Sequence, residues 1–207
     1  MKKQMIAIAL AVGAVLLSQC RQETASQANS EGNAKTYAQA YGGFESQVKW
    51  GEHLVTVSAC HDCHTPKIIT AEGMMLLDSS RLLSGHPANM PGPKIDRAEM
   101  ERKGLTVTDL LTAWAGPWGV SYAANLTSDD TGTGTWSEAQ FMTAIRKGKF
   151  KGLEGSRQLL PPMPWDVYRY MTDDELKAIF AYLKSTKPVR NIVPAPEPPV
   201  SASISSK

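Results

Sequence analysis

Cysteine is scarce in this chain: three among 207 residues. An odd count excludes a fully paired disulfide scaffold, and three is one short of a four-cysteine zinc site. Charge of neither sign dominates, with 22 Lys+Arg against 20 Asp+Glu. That balance argues against a strongly basic nucleic-acid binder. Apolar runs are short. The longest, residues 5–17, has 13 members, well under the roughly 20 needed for a membrane-spanning helix. No internal repeat is visible. Apolar residues still make up 42%, which excludes wholesale disorder.

The two ends read as something other than fold. Lys2 and Lys3 followed by residues 5–17 make a basic start and an apolar run of signal-peptide length. The run closes on Leu17-Ser18-Gln19-Cys20, which resembles a bacterial lipobox, whose cysteine is lipidated and becomes the first residue. Leu17 and Ser18 match that pattern; Gln19 departs from it, since a small residue usually stands there. The expectation is a signal peptide at 1–19 and an exported protein, held by lipid on Cys20 to the periplasmic face of the inner or outer membrane. Residues 20–36 have no large apolar side chain after Cys20 and read as a flexible tether. Five prolines and a Ser-rich end make 188–207 a weakly structured tail. The folding part is then 37–187.

Cys60-His61-Asp62-Cys63-His64 is the C-x-x-C-H pattern of c-type haem attachment. Thiols one helical turn apart reach the two vinyl groups of one porphyrin, and His64 brings an imidazole nitrogen to the iron. A redox-active Cys60–Cys63 dithiol would want a βαβ context that is missing. A zinc site would want two more ligands. The sixth ligand is expected from Leu159-Leu160-Pro161-Pro162-Met163-Pro164-Trp165. Its three prolines fix φ and stiffen the presentation of the Met163 thioether. Met90, His86, His53 and His61 are the rivals.

Three helices follow from pattern. Trp50, Leu54 and Val57 stand at i, i+4 and i+7 ahead of the motif. Thr135-Trp136-Ser137-Glu138 reads as a capping box for a helix ending at Gly148. Thr172-Asp173-Asp174-Glu175 reads as another, for a helix to about Lys184 with Leu176, Ile179, Phe180 and Leu183 on one stripe.

With Asn125-Leu126-Thr127, Thr131-Gly132-Thr133-Gly134-Thr135-Trp136, Pro161 to Trp165 and Thr172 to Leu176 in this order, the chain resembles a class I cytochrome c. It is similar in particular to the haem domains of bacterial diheme cytochromes c and the cytochrome subunits of periplasmic dehydrogenases. A single C-x-x-C-H makes it a monohaem relative. The resemblance implies an all-α cytochrome c fold. In it the N- and C-terminal helices cross at Gly51 and residues 178–183, beside one covalent haem c. His64 to Met163 spans 99 positions, so 66–122 becomes a long ordered loop insertion. Asn125, Ser121, Trp136 and Arg157 are candidates to line the pocket or hold propionates. The implied function is one-electron transfer, not catalysis, through a His/Met-ligated iron. Its partners would be redox proteins such as a dehydrogenase, an oxidase or another cytochrome. A haem enzyme or sensor with a displaceable sixth ligand, peroxidase-like or gas-binding, is the alternative.

Overall fold

The structure, a computed structural model, describes residues 40–204. The expected signal segment at 1–19, Cys20 and the tether at 20–36 lie outside the described residues. The chain divides into a unit ending at Ser46 and a unit that begins at Gln47. Of the first, residues 40–46 are described, a bend in which Phe44 N donates to Tyr41 O (3.0 Å).

In the second unit the described α-helices are α1 (Gln47–Val57), α2 (Cys60–His64), α3 (Arg97–Lys103), α4 (Glu138–Lys147), α5 (Trp165–Tyr168), α6 (Asp173–Ser185) and α7 (Val200–Ile204). Capping explains why the longer ones start where they do. Thr172 Oγ1 accepts from Glu175 N, and the Glu175 carboxylate accepts from Thr172 N at 2.7 Å. This reciprocal box satisfies two otherwise orphaned amides of α6. Ser137 and Gln140 do the same for α4. The start expected at Thr135 is therefore two residues early: Ser137-x-x-Gln140 also fits the box pattern, and Thr135 stands in the preceding turn. Gly148 ends α4 in the left-handed region.

Helices α1 and α6 cross at Gly51. A methyl group there would lie 1.9 Å from the Ala178 carbonyl oxygen and 2.9 Å from Tyr182 Cβ. Only hydrogen at that position lets the two backbones approach so closely. Around the crossing, Leu54, Val55, Leu176, Ile179 and Leu183 form one buried cluster with Phe141 and Ile145 of α4. The Phe141 and Phe180 rings stack with centroids 5.2 Å apart. Burying each such side chain is worth about 1.5–3 kcal/mol. The expected α1 stripe needs one correction. Val57 is 62% exposed, and Val55 is fully buried in its place.

The all-α expectation does not describe 66–122. Strands β1 (Lys67–Ile69) and β2 (Met75–Leu77) form an antiparallel hairpin. Strands β3 (Val107–Asp109), β4 (Ala113–Gly116) and β5 (Gly119–Tyr122) form an antiparallel meander. In its tight turn Gly116 faces Gly119. The expected turns at 116–119 are there, but their flanks pair instead of running as loop.

As far as residue 204, the expected tail is structured. Val120 and Glu197 exchange both backbone hydrogen bonds at 2.9 Å, so residue 197 adds a bridge beside β5. Gly119 permits this at φ 96°; a Cβ there would lie 2.0 Å from the Glu197 carbonyl oxygen. The Glu197 carboxylate accepts from Arg97 (2.6 Å) and the Tyr122 hydroxyl (2.8 Å). Buried Asn191 donates to the carbonyls of Ser84 (2.6 Å) and His86 (2.9 Å) and accepts from Ala88 N (3.0 Å). Prolines lack an amide to donate, so the strap is held through these two polar side chains, its carbonyls and the amides of its non-proline residues, among them Val189 N and Asn191 N, which donate to Thr127 Oγ1 (3.2 Å) and Thr131 Oγ1 (3.0 Å). Residues 188–204 belong to the same unit as the helices, not to a separate tail. No described helix is long and apolar enough to cross a membrane.

Candidate haem-binding site

Helix α2 is one turn long, so Cys60 and Cys63 emerge on the same side of it and His64 closes it. Both thiols are free and half-buried. Burial pushes the Cys60 thiol up to about 11 and raises that of Cys63 as well. Redox-active dithiols show the opposite, a lowered pKa that exposes a thiolate. The described residues also contain no cluster of three or more His, Cys, Asp or Glu suited to a metal ion. The dithiol and zinc readings of Cys60 and Cys63 therefore find no support in their surroundings.

His64 is buried, and its Nδ1 lies 2.7 Å from the Ala124 carbonyl oxygen. A carbonyl only accepts, so Nδ1 carries the proton and Nε2 keeps a lone pair. Nε2 makes no hydrogen bond to a described residue. Burial lowers the pKa of His64 and keeps the ring neutral. A neutral imidazole with one nitrogen fixed by a carbonyl and the other open is the form in which histidine binds a metal. The His64 carbonyl accepts from Gly85 N (2.8 Å).

Met163 is partly buried against the same apolar cluster that Cys60, Leu126, Trp136 and Tyr168 pack on. Two hydrogen bonds tie its segment to the attachment side. Ser121 Oγ donates to the Pro161 carbonyl at 2.6 Å. Tyr168 OH donates to the Ser58 carbonyl at 2.5 Å, two residues before Cys60. The stretch 121–124 thus grips both ligand candidates, His64 through the Ala124 carbonyl and the Met163 segment through Ser121.

Of the rivals to Met163, His86 and His61 are held by hydrogen bonds. His86 Nε2 donates to the Met90 carbonyl (2.9 Å), so Nδ1 accepts from the Thr112 hydroxyl (2.9 Å); the ring is fully buried and has no open nitrogen. Met90 is absent from the residues packed on the central cluster. His61 Nδ1 is paired with Thr65 Oγ1 at 2.9 Å, and His53 is on the exposed side of α1.

Of the pocket candidates, Trp136 packs on the central cluster, and its indole N–H makes no hydrogen bond to a described residue. Asn125 is not available as a pocket donor. Its amide donates to Thr131 Oγ1 (3.0 Å) and the Val189 carbonyl (2.8 Å), and its oxygen accepts from Thr127 N and Oγ1. It fastens the 125–133 loop to the strap. Arg157 lies with its guanidinium 4.1 Å above the Phe150 ring and donates to the Gln158 carbonyl, on an exposed part of the chain. Lys67 and Tyr168 escape a sequence reading. Lys67 is 9% exposed, and its ammonium donates to the carbonyls of Asp62 (2.8 Å) and Thr65 at the end of α2. No local pattern distinguishes such a lysine from a solvated one.

Paired neighbouring thiols, an oriented neutral imidazole, a thioether on the same apolar cluster and an open indole donor are a set that fits a covalent haem. Curated relatives match part of the chain. A nicotinate dehydrogenase subunit of Pseudomonas putida is 40% identical over 80 residues, 38% of this chain and 6% of that protein. The fructose dehydrogenase cytochrome subunit of Gluconobacter japonicus is 36% identical over 94 residues, 44% of this chain and 19% of that one. The gluconate 2-dehydrogenase cytochrome c subunit of Pantoea cypripedii is 38% identical over 69 residues, 33% and 15%. The chain spans less than a fifth of the length of these relatives. No protein-family model matches it. The similarity is to cytochrome subunits of dehydrogenases, consistent with haem c and with electron transport.

Proposed function

We propose that this chain is an exported monohaem cytochrome c of the class I fold, tethered by lipid on Cys20 at the periplasmic face. In this reading it carries single electrons between redox proteins, with a dehydrogenase as the expected donor. The observation that carries the reading is His64: buried, neutral, directed by the Ala124 carbonyl, and adjoining two unpaired thiols. Haem supplies an iron that changes by one electron when bound. The chain's own residues do the rest. Cys60 and Cys63 would hold the porphyrin covalently, and His64 and Met163 would be the axial ligands. A thioether ligand and apolar surroundings favour the reduced state and raise the potential. The cluster around Leu54, Phe141 and Leu183 excludes water from that side. Keeping both ligands in place through the change avoids rearrangement of the protein. The lipid would hold the protein near membrane partners and raise its effective concentration there.

The optical spectrum of the purified full-length protein tests the reading. Haem retained after denaturation and the weak red absorption of ferric Met–iron ligation are expected. Met163→Ala is expected to lower the potential markedly while the haem stays attached. An unchanged potential in that variant would move the ligand elsewhere, and rapid carbon monoxide binding by the ferrous wild type would favour a ligand-binding or catalytic haem.

A further inference from the structure

The β1–β2 hairpin exposes apolar side chains on both of its faces. Ile68 pairs with Leu76 and Ile69 with Met75 across the strands. These four, with Met74 and Leu77, are 41–56% exposed. A hairpin packed on a core buries one face and alternates accordingly; this one does neither. Exposed apolar side chains grouped in this way, in contrast to ones scattered singly, mark interaction sites.

The element is also built firmly. Its turn closes with Thr70 N donating to the Met74 carbonyl (2.9 Å) and Gly73 N to the Thr70 carbonyl (3.0 Å). Its base closes with Asp78 N donating to the Pro66 carbonyl (2.9 Å). At the root, Lys67 clamps the strand to the carbonyls of Asp62 and Thr65, the end of the haem-attachment helix. The root of the hairpin is therefore fixed to the helix that ends at His64.

Charge distinguishes the possible occupants. Within residues 68–77 the single ionised group is Glu72, fully exposed at the tip. A carboxylate at the leading end is costly in lipid and favourable opposite a cation. We propose that the hairpin is the docking element for the redox partner. The partner's surface is a protein cleft with apolar walls and a basic side chain at its floor. The proposal rests on the electron-carrier reading above and adds where the partner binds.

The test uses the full-length protein in intact cells, with a photo-reactive phenylalanine analogue in place of Met75 or Leu76. The expected result is a cross-link to one protein through a peptide that contains Lys or Arg. Glu72→Lys, and in parallel the milder Glu72→Gln, should lower its yield about tenfold. Reversing the partner's basic residue to Glu should restore the yield with Glu72→Lys. Cross-links to lipid, to a second copy of the chain or to many unrelated proteins would overturn the proposal, as would a yield insensitive to residue 72. Haem content is measured on the same samples. Absence of haem overturns the electron-carrier reading, whereas haem-loaded protein without the charge dependence overturns the docking site alone.

Discussion

Ser121 accepts from the Trp118 indole (3.1 Å) and donates to the Pro161 carbonyl (2.6 Å), two residues before Met163. Ser121→Ala leaves both groups unpaired and is expected to cost about 1–3 kcal/mol. A Met163 segment released on that side yields its place more readily. Titration of the ferric variant with imidazole should show binding several-fold tighter than in wild type; equal affinity would remove Ser121 from ligand positioning. His86 makes a pH-dependent contribution. Burial lowers its pKa below the ordinary 6.5, so the folded state holds fewer protons than the unfolded chain as pH falls through 6.5. Stability from a neutral His86 is complete above 6.5 and is lost on acidification below it. His86→Gln removes that titration. The loss of melting temperature between about pH 7 and pH 5 should be smaller than in wild type. An identical acid slope in the two proteins would show that other groups cause it. At this scale Cys60, Cys63 and His64 stand out because C-x-x-C-H is a local pattern with a fixed spacing. The occupation of His86 and Asn125 does not, because it depends on Thr112 and Val189, 26 and 64 positions away.

Crossing of α1 and α6 is an element-scale property concentrated at one atom. Gly51→Val places a branched side chain where even a methyl group would meet the Ala178 carbonyl at 1.9 Å. The helices must then separate. A loss of more than about 3 kcal/mol, or failure to accumulate folded protein, is expected from denaturant unfolding; a loss below about 1 kcal/mol would contradict the close crossing. Helices were readable because caps and apolar stripes are local. Thr172 and Glu175 carry their own box, and Leu176, Ile179 and Leu183 recur at helical period. The strands were not readable. Each is three or four residues long, and residues 75–77 (Met-Leu-Leu) show no alternation because neither face of that hairpin is buried. Segments so short take their conformation from pairing with a neighbour, which periodicity does not report.

The C-terminal strap acts on the whole molecule. Prolines at 188, 194, 196, 198 and 199 suggest a loose tail, yet proline fixes φ and lowers the entropy lost on ordering. A proline-rich segment becomes a strap once a few side chains anchor it. Asn191 is the main anchor, with three hydrogen bonds to backbone groups of Ser84, His86 and Ala88. Asn191→Ala is expected to cost about 2–4 kcal/mol and to lower the melting temperature by roughly 5–15 °C. Thermal unfolding checks this, and a shift within about 1 °C would show the strap to be dispensable.

These same contacts impose an order in time. Asn191 closes on residues 105 and 107 positions earlier, and pairings of such long range form late. The two carbonyls it binds flank Gly85, whose amide holds the His64 carbonyl. The frame around the imidazole is therefore complete only after residue 191 has closed on it. Made from its N-terminus, the chain presents Cys60 and Cys63 well before that frame shuts. The strap thus leaves an interval in which the thiols meet an open structure, and it fastens the structure once that interval has passed.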